Sequence, residues 1–256
     1  MFTSGERAHL RSALLEFAKT DARIRGAAIT GSLVRDREDE WSDIDLAFGV
    51  ADSAEIPRVL SDWTDHLYRD HSVLHHFDVK AGSWIYRVFL FANTLQVDLA
   101  FVGADEFRAL APTFRLMFGS ANEPRHHSPP EATDLIGMGW LYALHVRSAI
   151  ARNRLWQAEY MIHGMRDQAL ALACVTRGLP AIHGRGFHLL PVEVTAQFEP
   201  TLVRELARGE LSRSFQAVTE AFQSEIKRAN FELGRRLQSA LMELTEIRSA
   251  VPEQTR

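Results

Sequence analysis

The stretch of sequence that decides the fold is Trp41-Ser42-Asp43-Ile44-Asp45-Leu46-Ala47-Phe48. Its apolar run predicts a strand over residues 44–48, and because residues two apart in a strand point to the same side, Asp43 and Asp45 share one face. Two such carboxylates repel each other unless a cation lies between them, and oxygen ligands favour Mg²⁺ or Mn²⁺. The stretch therefore indicates a metal site, and the alternative is an edge strand with solvated acids.

A second apolar strand, predicted over residues 95–102, carries Asp98 in its middle. An unpaired charge is costly when it is buried, so Asp98 also requires a compensating cation. Two alternatives to a metal stay open for this residue: Asp98 lies on an exposed face of the sheet, or it pairs with a nearby arginine such as Arg87.

Gly31-Ser32 follows a predicted strand over residues 27–30 and precedes a predicted helical turn. Glycine permits close backbone approach, and the free N–H groups at a helix start suit phosphate oxygens. Ten residues separate Ser32 from Asp43, so one loop could deliver a phosphate to the metal site. Arg35 lies just beyond and could contact the β- and γ-phosphate oxygens, unless residues 35–40 form a solvated loop of mixed charge.

Taken together, Gly31-Ser32, the ten-residue spacing, Asp43-Ile44-Asp45 and the later Asp98 resemble the signature of the DNA polymerase β-like nucleotidyltransferase superfamily, especially its small antibiotic nucleotidyltransferases. The resemblance covers residues 25–102. It implies that Gly31 and Ser32 bind the triphosphate of ATP or another nucleoside triphosphate, and that Asp43, Asp45 and Asp98 hold two Mg²⁺ ions. It also implies that a nucleoside monophosphate is transferred to a hydroxyl group with release of pyrophosphate, and that Asp98 helps to take the hydroxyl proton.

The periodicity of the apolar residues changes near the middle of the chain, where residues 119–130 are rich in Gly, Pro and polar side chains. This predicts an α+β protein in which residues 1–120 form a mixed sheet with flanking helices and residues 121–256 form a helical bundle. The resemblance implies that residues 1–120 are the nucleotidyltransferase catalytic domain and that residues 121–256 bind the acceptor. In the first domain we expect helices over 4–20 and 55–70 and a hairpin of strands over 84–91 and 95–102. In the second we expect helices over 131–152, 154–177, 192–207 and 211–248, the last long enough to break near Gly234.

Glu159 is the candidate acceptor-binding residue of the helical half. With His163 and Arg166 it falls at i, i+4 and i+7, on a polar stripe separate from the apolar stripe of its helix. Such a stripe could face a cleft or simply solvent. Several antibiotic nucleotidyltransferases place an acid of the helical domain at the acceptor, and the resemblance thus implies that Glu159 is a catalytic base or a ligand for an acceptor amine.

Charge and composition limit the partners. The 256 residues carry a net charge of −4, with 13 basic and 18 acidic residues in 1–120 and 16 and 15 in 121–256. The chain lacks the basic excess of proteins that bind nucleic acid non-specifically, and its acidic half favours a cationic small-molecule acceptor such as an aminoglycoside or lincosamide antibiotic.

The single cysteine, the absence of an apolar run of about 18 residues and a start without the pattern of a secretory signal predict a cytoplasmic protein without a membrane partner. Two rival functions stay open: transfer to protein or RNA, as in toxin–antitoxin nucleotidyltransferases, and a non-catalytic, nucleotide-binding regulator. The oligomeric state is not predicted.

Overall fold

The structure, a computed structural model, describes residues 1–35 and 38–247 and leaves out the side chains of Ser32 and Arg35. It divides into two compact units, Met1–His127 and Ser128–Arg256. The first unit contains a mixed sheet with helices, and the second contains helices, so the predicted α+β class is confirmed. The catalytic and acceptor-binding roles given to residues 1–120 and 121–256 remain predictions.

The first unit is built on a six-stranded sheet with the order β3-β4-β5-β2-β1-β6. Its helices and strands are α1 (Ser4–Thr20), β1 (Ile24–Thr30), β2 (Ile44–Val50), α2 (Ile56–Asp70), β3 (Val73–Ala81), β4 (Trp84–Phe91), β5 (Gln96–Gly103) and β6 (Phe114–Gly119). β2 and β5 pair in parallel, and the other neighbouring strands are antiparallel. The predicted hairpin of β4 and β5 is thus present, and β5 brings its residues alongside β2.

The two faces of the sheet differ in what covers them. On one face, Phe48 of β2 and Phe101 of β5 lie with their ring centroids 4.7 and 5.5 Å from that of Trp63 of α2, within the core that α1 and α2 close. On the other face, the same strands present the small residues Ala47 and Ala100. Because side chains alternate along a strand, the residues two positions earlier, Asp45 and Asp98, belong to this second face.

The second unit contains α3 (Ala132–Ala151), α4 (Leu155–Val175), α5 (Val192–Phe198), α6 (Arg208–Ala229) and α7 (Phe231–Thr245). Ile150, Ile162, Leu172 and Phe215 are among the fully buried side chains of its core. The helices α3 and α6 come close because residue 139 is glycine: a Cβ there would lie 2.1 Å from Cζ of Phe222. Within the part of the chain that the structure describes, no helix is both long and apolar enough to cross a membrane.

Two helix predictions were wrong in extent. The helix predicted over 192–207 ends at Phe198 and is followed by a 3₁₀ turn, because Pro200 cannot continue the helical hydrogen bonding. The helix predicted over 211–248 begins at Arg208 and breaks at Asn230, not near Gly234. The Asn230 side chain caps α7 by accepting a hydrogen bond from the Leu233 N–H at 3.0 Å.

Two strands, β3 and β6, were not predicted. Both lie at the edges of the sheet, and much of each is exposed. An edge strand tolerates polar and charged residues, so its sequence lacks the continuous apolar pattern of a central strand.

Candidate active site

The carboxylates of Asp43, Asp45 and Asp98 come together at one end of β2 and β5. Each offers an oxygen, and the three oxygens all lie within 4.8 Å of one another. The parallel register places Asp45 directly opposite Asp98, and Asp43 immediately precedes β2. Among the residues that the structure describes, this is the one group of three or more His, Cys, Asp or Glu side chains that could hold a metal ion.

The electrostatics of this cluster suit a cation. Burial, together with a smaller effect of the Asp43 carboxylate, raises the pKa of Asp98 from 3.8 to about 6 although a hydrogen bond from Gln96 opposes the shift. Ionisation of Asp98 is therefore unfavourable in the metal-free protein, and a bound cation would remove much of that cost. Carboxylate oxygens are the ligands that Mg²⁺ and Mn²⁺ prefer, so the donor set fits the expected metal.

Arg87 does not neutralise Asp98. Its guanidinium donates to the Asp78 carboxylate at 2.7 and 2.8 Å and to the Thr64 hydroxyl of α2 at 2.8 Å. Since Thr64 belongs to a helix on the opposite face of the sheet, Arg87 points away from the carboxylates, and the alternative of an Arg87–Asp98 ion pair was wrong.

Gln96 is a member of the site that the sequence did not reveal. Its side-chain N–H donates to Asp98 Oδ1 at 3.0 Å and lies 3.5 Å from Asp43 Oδ2. The amide thus bridges two of the three carboxylates. A period-two pattern places Gln96 and Asp98 on the same face, but only the pairing of β5 with β2 shows that Asp43 is within its reach.

The predicted phosphate turn lies directly against the carboxylates. Gly31 has φ of +74°, a 3₁₀ turn follows over Ser32–Arg35, and a Cβ at Gly31 would lie 1.9 Å from Asp45 Oδ2. Arg115 of β6 holds this turn by donating to the Leu33 carbonyl at 2.8 Å. Arg115 was missed because β6 was not predicted. The predicted contacts of the Ser32 and Arg35 side chains fall outside the part of the structure that is described.

Glu159 lies on α4 in the second unit, where its side chain is half-buried. The residues of the polar stripe predicted for it differ in burial. Arg166 is 9% exposed and donates to the Thr201 carbonyl at 2.9 Å, which makes it part of the packing of that unit. Glu159 itself makes no side-chain hydrogen bond or ion pair with any residue for which the structure gives a position. Its role at the acceptor stays a prediction.

Asp98→Asn should stabilise the metal-free protein although it removes a proposed metal ligand. Between about pH 4 and 6 the folded protein retains a proton that the unfolded chain has released, so the ionised carboxylate costs stability as the pH rises through this window. A shift of one pKa unit corresponds to about 1.4 kcal/mol, and partial exposure reduces this value. We therefore expect the free energy of unfolding of the variant to exceed that of the wild type by about 1–2 kcal/mol above pH 6. Urea unfolding in a chelating buffer measures this gain, and the exposed Asp65→Asn serves as control. A destabilised Asp98→Asn would contradict this expectation.

Comparison with known proteins identifies a family that the first unit resembles. Residues 6–118, from α1 to β6, match the model of a family described as streptomycin adenylyltransferase. The predicted resemblance to the small antibiotic nucleotidyltransferases and the predicted enzyme class, an adenylyltransferase, are thereby confirmed.

Among solved structures, a crystal structure of an aminoglycoside 6-adenyltransferase from Bacillus subtilis matches with a TM-score of 0.41 and 15% sequence identity. The match covers 95% of this chain and 99% of that chain. No curated protein matches the sequence.

Proposed function

We propose that this adenylyltransferase uses Mg²⁺ to transfer AMP from ATP to a hydroxyl group of an aminoglycoside or lincosamide antibiotic, with release of pyrophosphate. The observation that carries the proposal is the cluster of Asp43, Asp45 and Asp98 beside the Gly31 turn. This cluster lies within the region that matches the streptomycin adenylyltransferase family, and inactivation of such a drug would make the protein a resistance enzyme.

In this proposal the three carboxylates hold two Mg²⁺ ions, which supply neutralisation of the charge on the phosphate oxygens. The backbone of Gly31 and Ser32, together with the Arg35 side chain, binds the triphosphate. The acceptor oxygen forms a bond to the α-phosphorus. The bond between the α-phosphorus and the oxygen that bridges it to the β-phosphorus breaks, and pyrophosphate leaves. Asp98, which lies opposite Asp45 in the parallel register, takes the hydroxyl proton.

The acceptor class is inferred from charge. The first 120 residues carry 18 acids against 13 bases, which favours approach of a cation. In the second unit, α4 carries Trp156 and Tyr160 close to Glu159 in sequence, and these two side chains are 76% and 65% exposed. A carboxylate and exposed aromatic side chains on one helix surface suit an ammonium group carried on a sugar ring, which is the chemistry of an aminoglycoside.

The acceptor is tested by incubating the protein with labelled ATP, Mg²⁺ and, separately, aminoglycosides, lincosamides, tRNA and bulk protein. The proposal predicts label in one class of antibiotic. Label in tRNA or protein would instead support a macromolecular acceptor. ATP binding without any labelled product would support a nucleotide-binding regulator.

Glu159→Ala should weaken binding of the acceptor without affecting ATP. Loss of a hydrogen bond to a charged group typically costs about 1.5–3 kcal/mol, so we expect KM for the acceptor to rise about 10- to 100-fold and KM for ATP to stay unchanged. Glu220→Ala on α6, where the exposed carboxylate accepts a hydrogen bond from Gln216, is the control. Wild-type kinetics in Glu159→Ala would show that Glu159 only faces solvent.

A further inference from the structure

Arg7, a residue of α1 outside the carboxylate cluster, is buried to an unusual degree for an arginine. Its side chain is 2% exposed, and the guanidinium lies 5.8 Å from the ring centroid of Phe2. A buried cation is costly unless the structure satisfies it, so its contacts show what the burial achieves.

The guanidinium of Arg7 holds the turn that leads into the metal site. One nitrogen, Nη1, donates to the Asp39 carbonyl at 2.7 Å and to the Ser42 carbonyl at 2.9 Å. The Glu38 carboxylate lies 2.9 Å from Arg7 Nε and 2.5 Å from Nη1 of Arg11. Two arginines of one helix therefore fix residues 38–42 from outside the turn.

The turn is also closed from within. Asp39 accepts hydrogen bonds from the Trp41 N–H at 3.0 Å and from the Ser42 hydroxyl at 2.9 Å, and the Asp39 N–H donates to the Ser42 hydroxyl at 2.9 Å. Arg7 thus binds the two ends of a preformed turn. Arg7 itself lies in the first turn of α1. There the side chains of Thr3 and Glu6 form a capping box that satisfies free backbone N–H groups at the start of the helix.

Asp43 lies between two residues whose positions are held by the structure. The Ser42 carbonyl, which belongs to the peptide bond joining Ser42 to Asp43, is held by Arg7, and the next residue, Ile44, is 1% exposed in the core. A metal ligand must be held within about 0.5 Å of its working position, and the groups that hold ligands in place govern metal affinity. We propose that Arg7 is a positioning residue that sets the Asp43 carboxylate for metal binding. The inference rests on the proposed function, since it requires Asp43 to be a metal ligand.

The test is Mn²⁺ binding and the metal dependence of AMP transfer in full-length Arg7→Lys. A lysine keeps the charge but has a single nitrogen, so it cannot hold the two carbonyls and the Glu38 carboxylate in the same planar arrangement. We therefore expect Mn²⁺ affinity to fall about 10- to 100-fold and the Mg²⁺ concentration for half-maximal turnover to rise by a similar factor. A purely structural role would lower the melting temperature and leave the affinity of folded molecules unchanged. Lys19→Gln, which removes an exposed ion pair of the same helix, is the control and should bind Mn²⁺ normally.

Glu38→Gln provides a second variant in case Arg7→Lys does not fold. It preserves the shape of the residue that orients Arg7, and we expect it to weaken Mn²⁺ binding in the same direction. Wild-type Mn²⁺ affinity in either folded variant would overturn the role of Arg7 while leaving the proposed function intact. A wild-type protein that binds no Mn²⁺ would overturn both the proposed function and this inference.

Discussion

Asparagine at either Asp43 or Asp45 is expected to reduce Mg²⁺-dependent AMP transfer at least about 1,000-fold while the protein stays folded. Each change removes one anionic oxygen from a cluster whose three ligand atoms lie within 4.8 Å of one another. Metal-ion stabilisation of phosphate charge is worth several kcal/mol, and each 1.4 kcal/mol corresponds to tenfold in rate. The measurement is the initial rate of transfer over a range of Mg²⁺ concentrations, with circular dichroism and thermal melting to confirm the fold.

The control for these variants is Asp65→Asn, which makes the same chemical change on the exposed side of α2. It should turn over like the wild type. Retained turnover in both Asp43→Asn and Asp45→Asn would show that the cluster is not the catalytic metal site.

Gly31→Ala should be the most damaging change outside the carboxylates. The new Cβ would lie 1.9 Å from Asp45 Oδ2, and the backbone of residue 31 has φ of +74°, which costs about 1–2 kcal/mol for an L-residue. Because Asp45 is anchored in the central strand β2, either its carboxylate or the phosphate turn must move. A displacement of about 1 Å at a reacting centre can cost 100-fold in rate, and we expect a loss of at least that size in kcat/KM.

Gly82→Ala separates the clash from the backbone strain. Gly82 lies in the turn between β3 and β4 with φ of +60°, and a Cβ there would meet nothing within 4 Å. Both variants carry a similar backbone cost of about 1–2 kcal/mol of stability, to which the clash with Asp45 adds a further loss in Gly31→Ala, and only Gly31→Ala should lose activity. Equal turnover in the two variants would mean that the approach of Gly31 to Asp45 has no part in the reaction.

The carboxylates were predictable because their signal is local. Asp43, Asp45 and Asp98 each interrupt an apolar strand, and alternation along a strand is visible in the sequence. The register that puts Asp45 opposite Asp98 was not predictable from the residues alone. It depends on parallel pairing of two strands that α2, β3 and β4 separate in the chain.

Contacts between distant segments account for most of what was missed. Gly31 was predicted to let a phosphate approach, and the structure adds a reason that is independent of any nucleotide, its contact with Asp45. Arg7 and Arg115 hold the two loops of the site through backbone carbonyls, which leave no trace in the sequence. In the helical half, the last predicted helix breaks at Asn230, which caps α7, and Gly234 lies inside α7, where a Cβ would lie 2.6 Å from Cγ of Lys227 of α6.

The central claim, that the carboxylate cluster catalyses metal-dependent transfer of AMP, is tested most directly by comparing ATP labelled at the α-phosphorus with ATP labelled at the γ-phosphorus. With Mg²⁺ and an aminoglycoside, we predict that α-label enters the acceptor with an equal amount of pyrophosphate, that γ-label does not, and that Asp45→Asn abolishes the transfer. Transfer of γ-label, or undiminished transfer by Asp45→Asn, would contradict the account.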